Sequence, residues 1–162
     1  MKVRFAEQAD RQALFALALE NRHEIAHAPV AVCMERVEQT LHGLFELNQG
    51  SHVVLLVQTD AGELVGLLIG CLERYFYSDA LQAQLIQWYV KKAYRGTSAA
   101  PRLVKAFVAW ARTRGANDVF MGISSGLNVH LTHRLMRRLG FSYLGGNYGV
   151  QLNPSREVPH AA

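Results

Sequence analysis

The stretch HEIAH near the N-terminus places two histidines and a glutamate in the pattern that zinc proteases carry on a helix. His23 and His27 have the one-turn spacing of two zinc ligands, and Glu24 would act on a metal-bound water. A third ligand is also required, but no third histidine follows at the usual spacing, and Glu46 is the only comparable glutamate. Pro29 closely follows the second histidine, so a helix should end there. We therefore predict that this segment binds no metal.

A second candidate for chemistry is the small-residue loop in WYVKKAYRGTSAAP, residues 88–101. A loop without bulky side chains lets backbone N–H groups approach a ligand, and the helix that begins near Pro101 adds unpaired donors and a positive dipole end. Arg95 contributes a planar fork of donors, with Lys91, Lys92 and Arg102 nearby in sequence. An ordinary strand-to-helix turn with solvated basic side chains would have the same composition. With that alternative open, the loop predicts a phosphate site.

Charge is distributed unevenly along the chain. Residues 84–139 hold ten Lys or Arg against one acid, whereas residues 1–83 hold eleven acids against six bases. The second half is therefore suited to an anion, either nucleic acid or a phosphorylated small molecule. The chain contains no run of about 18 apolar residues, and its first ten residues turn polar too early for a signal peptide. We expect a cytoplasmic protein that does not enter the membrane.

The elements that must hold the loop follow from hydrophobic periodicity. Asp10 is placed to cap a first helix, and a second helix and three strands precede the loop. After it, PRLVKAFVAWARTRG has a helical apolar face, followed by a strand, another helix and two strands around a Gly-Gly-Asn turn. The order β-α-α-β-β-β-α-β-α-β-β is typical of an α/β sandwich with helices on both faces of a mixed sheet. We expect one domain over residues 1–153 and a flexible tail over 154–162.

These elements and the loop together resemble the GNAT superfamily of acyl-CoA-dependent N-acetyltransferases. The family motif is Arg or Gln, two residues, Gly, one residue, then Gly or Ala, and RGTSAA is similar to it with Arg95, Ser98 and Ala100 in the three motif positions. VKKAYRG and LMRRLGF are also similar to family segments, so the resemblance spans residues 3–152. It implies an α/β/α sandwich whose mostly antiparallel sheet has six to seven strands, with about four helices.

The resemblance also implies where acetyl-CoA would bind. Its diphosphate would lie on the loop backbone beside the Arg95 guanidinium, and its pantetheine arm would pair with the preceding strand as an added strand does. The Ser98 side chain, in place of glycine, would either crowd the diphosphate or donate a hydrogen bond to it. The expected cofactor-binding residues are Tyr89, Val90, Arg95, Gly96, Thr97, Ser98, Ala99, Ala100 and Asn128.

Amine acetylation needs a deprotonated amine, a donor to the carbonyl oxygen and an acid for the leaving thiolate. A backbone N–H near Val90 is the family-like donor, whereas Met136 stands where the family commonly has a tyrosine acid and cannot give up a proton. Water or another side chain would then be the acid, and the candidates are Tyr143, Tyr148, His130 and His133. Glu73, at the end of the third strand, is the predicted base.

The segment between the first two helices commonly helps to line the acceptor pocket in this family. We therefore expect His23, Glu24 and His27 to contact a small-molecule or protein amine. The predicted activity is direct acetyl transfer in a ternary complex, without metal or nucleic acid, by a chain of a kind that is often a homodimer. Two alternatives stay open: a GNAT-like module that binds acyl-CoA or a protein without catalysis, and a nucleic-acid binder suggested by charge alone.

Overall fold

The computed structural model describes residues 1–25, 30–46 and 50–150. Its strands are β1 (Lys2–Phe5), β2 (His52–Gln58), β3 (Leu64–Arg74), β4 (Leu81–Val90) and β5 (Ala116–Phe120). Its helices are α1 (Arg11–Glu24), α2 (Met34–Phe45), α3 (Ala99–Thr113) and α4 (Val129–Arg138). The predicted order of elements is confirmed as far as α4.

All five strands form one mixed sheet in the order β1-β2-β3-β4-β5. Strands β1 to β4 pair antiparallel with one another, and β5 lies parallel to β4. The β2–β3–β4 meander has short connections, whereas the parallel step from β4 to β5 requires a crossover, which α3 supplies. The loop that precedes α3 therefore begins where β4 ends.

Alternating side chains of the sheet build two cores, one on each face. One core joins Val53, Leu55 and Val57 of β2 to Leu103 and Phe107 of α3. The other joins Val54 and Leu56 of β2 to Leu14 and Leu17 of α1 and Leu41 of α2. The α3 core is packed so closely that a Cβ atom on Gly70 would lie 2.3 Å from the Phe107 ring. The two layers of helices fix both faces of β4.

The prediction of six to seven strands is wrong for the described residues, which form five. The segment 141–150 has no regular secondary structure, and the rest of the last predicted strand lies outside the described residues. Three glycines in these ten residues offer no side chain to pack, and Tyr143, Leu144, Tyr148 and Val150 are exposed. A strand pair needs such side chains on a buried face, and this segment has none there.

The Asp10 carboxylate also acts differently from the prediction. It makes no capping hydrogen bond to α1. Instead it accepts hydrogen bonds from the Glu7 backbone N–H at 2.8 Å and from two guanidinium nitrogens of Arg4 at 2.6 and 2.8 Å. Asp10 thus holds the turn before α1 against β1. Within the described ranges, none of the helices has the length and apolar character needed to cross a bilayer.

Candidate active site

Strand β4 has one fully paired edge and one edge that opens towards its end. Its pairing with β3 runs from Leu81 to Val90, but its pairing with β5 ends at Gln84 opposite Phe120. A bulge leaves Ile86 without a partner on β3. Because bulges bend a strand and increase its twist, β4 turns away from β5 at this point. Among the described residues, no strand therefore neighbours the second half of β4 on this edge.

The backbone of Val90 lies on this open edge. The Lys91 N–H donates to the Val65 carbonyl at 2.9 Å, so Lys91 directs its backbone groups towards β3. Successive residues of a strand direct theirs to opposite sides, and Val90 and Trp88 therefore direct N–H and C=O away from β3. Tyr89, by contrast, directs its backbone to β3, where it pairs with Leu67. Of the two predicted strand contacts, only Val90 directs its backbone groups to the edge that faces away from β3.

The loop after β4 presents several backbone donors at the start of α3. Gly96 has φ +84°, a left-handed conformation that favours glycine, and nothing lies within 4 Å of the place where a Cβ atom would be. In the part of the chain that the structure describes, the N–H groups of Gly96, Ser98 and Ala100 have no hydrogen-bond acceptor. Such donors beside a helix N-terminus form a site for an anion.

Thr97 and Ser98 have different parts in this loop. The Thr97 hydroxyl donates to the Tyr94 carbonyl at 2.6 Å and accepts from the Ala99 N–H at 3.3 Å, so it caps the helix start. The Ser98 hydroxyl makes no capping bond and instead accepts from Nε of Arg102 at 3.3 Å. The Ser98 side chain is therefore bound to the first turn of α3 rather than to the unpaired N–H groups.

Two contacts brace the loop from the β2–β3 hairpin. The Tyr94 hydroxyl donates to one Glu63 carboxylate oxygen at 2.6 Å, and Nζ of Lys91 lies 3.3 Å from the other. The hydrogen bond from Tyr94 lowers the pKa of Glu63 and outweighs the partial loss of hydration, which raises it. No sequence pattern predicts this brace, because Glu63 lies in a polar turn that resembles any solvated hairpin end.

Arg95 is turned towards α1. Its Nε donates to the Val90 carbonyl at 3.0 Å, and one terminal nitrogen donates to Glu24 at 2.6 Å. Its guanidinium carbon also lies 5.6 Å from the centre of the Tyr89 ring, which is within the range of a cation–π contact. The structure therefore brings together Arg95 and Glu24, which were predicted separately for the cofactor and the acceptor.

The Tyr89 hydroxyl completes this group. It donates to Glu24 at 2.8 Å and lies 3.3 Å from a carboxylate oxygen of Glu20, one helical turn earlier. Burial raises the pKa of Glu24, but the hydrogen bonds from Tyr89 and Arg95 outweigh it, and the pKa lies below its ordinary value. Burial and the hydrogen bond to Glu24 raise the pKa of Tyr89 far above that of a free tyrosine. Glu24 is accordingly a carboxylate, and Tyr89 a neutral phenol, at neutral pH.

A cavity of about 400 Å³ lies on the face of the sheet that carries α1 and α2, and it reaches β4 at Ile86 and Gln87. Its lining residues are Thr40, Gly43, Leu44, Ser51, His52, Ile69, Ile86 and Gln87. Gln87 stands two residues before Tyr89 on β4, about 7 Å along the strand. Sequence reasoning missed His52, because a histidine at the start of an apolar strand gives no signal of a cavity.

Several predicted residues are not brought to the open edge of β4. Glu73 pairs with Gln82, whereas Val90 pairs with Gly66, so Glu73 lies at the opposite end of the β3–β4 pair, about 23 Å away along the sheet. Tyr148 is fully exposed, and Tyr143 is largely exposed with its ring against that of His133. The other candidates that the structure locates are exposed on helices: His23 on α1, His130 and His133 on α4 and Asn128 just before it.

The structure describes only part of the HEIAH segment. His23 and Glu24 are the last two residues of α1, while His27 lies outside the described residues. Among the residues that the structure does describe, no three His, Cys, Asp or Glu side chains are grouped so that they could hold a metal ion. Met136 is buried on α4, which accounts for an apolar residue at that position.

The fold of this chain is similar to the folds of several solved acetyltransferase structures. Similar folds include ribosomal-protein-alanine N-acetyltransferase from Brucella melitensis biovar Abortus 2308 (15% identity, 94% and 100% of the two chains, TM-score 0.66). They also include AAC(6')-Iy bound to the bisubstrate analogue CoA-S-monomethyl-acetylneamine (13% identity, 94% and 97% of the two chains, TM-score 0.71). A third is a soil-metagenome aminoglycoside acetyltransferase bound to sisomicin (16%, 94% and 96%, 0.68).

The sequence itself supplies the assignment to a family. No curated protein matches the chain in sequence. A sequence profile described as the acetyltransferase (GNAT) family, however, matches residues 14–141. This range includes the open half of β4 and the loop between β4 and α3, residues 91–98, which we call the donor loop. It also includes both residues of the Arg95–Glu24 pair. The chain therefore belongs to the acetyltransferase (GNAT) family.

Proposed function

We propose that this protein transfers the acetyl group of acetyl-CoA directly to an amine in a ternary complex. The observation that carries the proposal is the open edge of β4 leading into the unpaired N–H groups of Gly96, Ser98 and Ala100. An extended amide-bearing arm followed by a diphosphate needs a strand edge followed by an anion site. Pantetheine and the diphosphate of coenzyme A have this order.

The Ser98 hydroxyl does not oppose this arrangement. It is held by Arg102 on the first turn of α3, and the loop around it is exposed. The neighbouring Thr97 uses its hydroxyl to cap the helix, which keeps the remaining N–H groups available for phosphate oxygens. Of the two effects considered for Ser98, crowding and donation, the observed contacts favour a serine that leaves the diphosphate room.

In the proposed reaction the amine nitrogen attacks the thioester carbonyl, a C–N bond forms and the C–S bond breaks. The oxygen gains negative charge, which a backbone N–H of the open edge, that of Trp88 or Val90, is placed to stabilise. The amine loses a proton, and the departing thiolate gains one. Glu73 is too far along the sheet to take part, so we assign it no role in this reaction. Tyr143 and Tyr148 remain predictions for the acid.

We propose the cavity on the α1 and α2 face as the place of the acceptor amine. Its wall is partly apolar, from Ile69 and Ile86, and partly polar, from His52 and Gln87. A pocket of this kind binds the body of a small ligand and orients it through a few polar groups. Glu24, which contacts Tyr89 two residues along β4 from Gln87, would attract the charged form of the amine. A homodimer and a cytoplasmic location remain predictions.

Calorimetric titration with coenzyme A tests the cofactor site, and Gly96→Val is the variant. Valine is strained at φ +84°, so the loop must rearrange and coenzyme A binding should be lost. Gly115→Val is the matched control, because Gly115 has φ +75° and open surroundings at the other end of α3. Both variants should lose about 1–2 kcal/mol of stability, and only the first should lose binding. Equal binding by both variants would contradict the proposed site.

Turnover is tested separately by following thiol release from acetyl-CoA with a panel of amines, including sisomicin and a peptide with an N-terminal alanine. Release that depends on one of these amines supports the proposed transferase, and Glu24→Gln should raise the KM for that amine. Coenzyme A binding without amine-dependent release across a broad panel would favour the non-catalytic module instead.

A further inference from the structure

Arg95 occupies a position that conflicts with its expected part in cofactor binding. It belongs to the donor loop, yet its guanidinium is bound to Glu24 of α1 and to the Val90 carbonyl. In a residue that serves the diphosphate, the same N–H groups would point to phosphate oxygens. Of the five N–H groups of the guanidinium, those bound to Val90 and Glu24 are available to a diphosphate only after these two contacts break.

The strand edge raises a second conflict at the same residue. The Val90 carbonyl lies on the open edge of β4, where an added extended ligand would place an amide N–H. In the described structure this carbonyl already accepts a hydrogen bond from Nε of Arg95. A ligand on the edge thus competes with Arg95 at Val90, while its diphosphate competes with Glu24 for the guanidinium.

Glu24 is built to tolerate the loss of Arg95. Its other carboxylate oxygen accepts a hydrogen bond from the Tyr89 hydroxyl at 2.8 Å, and this bond does not involve the loop. Lys92 is also close enough to lower the pKa of Glu24 electrostatically. The carboxylate is partly exposed, at 28%, so water can take the place of the arginine. Releasing Arg95 from Glu24 therefore leaves no buried charge without a partner.

Resting on the cofactor site proposed above, we propose that Glu24 competes with coenzyme A for Arg95. In the free protein Glu24 holds the guanidinium on α1. When coenzyme A binds, Arg95 leaves Glu24 and Val90 for the diphosphate, and the Glu24 carboxylate is released. Glu24 then makes coenzyme A binding weaker than the loop alone would allow, because its contact with Arg95 must break first. It also couples coenzyme A binding to the charge of the acceptor amine, which Glu24 is predicted to contact.

The test is a set of calorimetric titrations with coenzyme A at fixed pH and low ionic strength. Removing the competitor in Glu24→Gln should tighten binding by about two- to fivefold, the effect expected for losing one partly exposed ion pair from the free state alone. Glu20→Gln is the matched control, because Glu20 also lies beside the Tyr89 hydroxyl but does not contact Arg95. Its dissociation constant should equal that of the wild type.

Two further measurements separate competition from a structural effect of the substitution. In an Arg95→Ala background, Glu24→Gln should leave the dissociation constant unchanged, because the contested group is gone. The melting temperature of Glu24→Gln should fall relative to the wild type without ligand, and the two proteins should melt together when saturated with coenzyme A. Glu24→Ser is a second variant with the same expected direction, should the glutamine variant fold poorly.

Unchanged or weaker coenzyme A binding by folded Glu24→Gln and Glu24→Ser would overturn the competition and leave the cofactor site intact. Tighter binding that persists in the Arg95→Ala background would also overturn it, because the effect would then not pass through Arg95. Absence of coenzyme A binding by the wild type is a different failure, which would remove the proposed cofactor site itself.

Discussion

Both ends of α1 are tied to the sheet by an arginine–carboxylate pair, and the two pairs differ in ways that matter. At the start of the helix, Arg4 of β1 holds both oxygens of Asp10, which also accepts a backbone N–H. At its end, Arg95 reaches one oxygen of Glu24 from the loop after β4. The carboxylate side chain is 11% exposed in the first pair and 28% exposed in the second.

The partners of each arginine explain this difference. Arg4 is fixed by two further contacts, with the Gln58 side chain at 3.0 Å and the Phe5 carbonyl at 3.1 Å. These groups belong to β1 and β2, which pair with each other away from the proposed cofactor site. Arg95 is fixed by the Val90 carbonyl, which lies on an open strand edge. The Arg4–Asp10 pair, whose partners are all structural, is therefore a permanent clamp. The Arg95–Glu24 pair, whose partners face the proposed binding site, is an exchangeable contact.

The largest expected effect is on the permanent clamp. Asp10→Ala should lower the free energy of unfolding by about 2–3 kcal/mol, because it leaves a partly buried guanidinium and a backbone N–H without their acceptor. Urea denaturation measures this loss. Asp60→Ala is the control, since Asp60 also pairs with a cation, the N-terminus, but is 92% exposed. A loss for Asp10→Ala no greater than that for the control would mean that the Arg4–Asp10 pair stabilises the fold no more than an exposed surface pair does.

A smaller effect, on binding rather than stability, is expected at the exchangeable contact. Arg95→Ala should weaken coenzyme A binding about tenfold, the value of one charge-assisted contact to phosphate, while changing stability less than Asp10→Ala does. Arg112→Ala, at the other end of α3, is the control and should bind coenzyme A as the wild type does. If Arg95→Ala lost as much stability as Asp10→Ala and no affinity, the contrast between the two pairs would be reversed.

The smallest effect should appear in the acid dependence of stability. The hydrogen bond from Arg4 lowers the pKa of Asp10 against the effect of burial, and the pKa of Glu24 is also below its ordinary value. A lowered pKa stabilises the folded chain above the unfolded-state pKa, and the stabilisation is lost as the pH falls through the folded-state pKa. The free energy of unfolding should therefore fall below about pH 4.5.

Substitution separates the two contributions to this acid dependence. Asp10→Asn should flatten the decrease between pH 5 and 2 more than Glu24→Gln does, because Asp10 has more donors and less exposure. Denaturation at a series of pH values measures both slopes. Equal slopes for the two variants would show that Glu24 is held as firmly as Asp10, which would argue against its exchange.

Much of the fold could be predicted because its signals are local. The apolar alternation in β2 and β3 and the helical face of α3 follow from the period of a strand or a helix. The two strands expected after α4 show the limit of this reasoning. A turn signal and scattered aromatics predict a hairpin, but residues 141–150 have no neighbouring face on which to bury those aromatics.

The candidate site likewise has one part that the sequence predicts and other parts that it does not. The donor loop was predictable because glycine, small residues and a helix start act within a few residues of one another. The cavity with His52 was not, because its wall combines α2 with three strands that are distant in sequence. Glu73 is the predicted base from its place at a strand end, but the sequence does not specify strand register, and the pairing of Glu73 with Gln82 puts it at the far end of the β3–β4 pair.

The sequence by itself determined the order of elements as far as α4, the small-residue loop before α3 and the family of this chain. Only the tertiary structure decided which backbone groups of β4 are free, because that depends on where β5 separates from it. It alone decided the direction of Arg95, whose partner Glu24 lies 71 residues away in sequence. Contacts over such separations follow from how helices and strands pack, and no local pattern of residues specifies them.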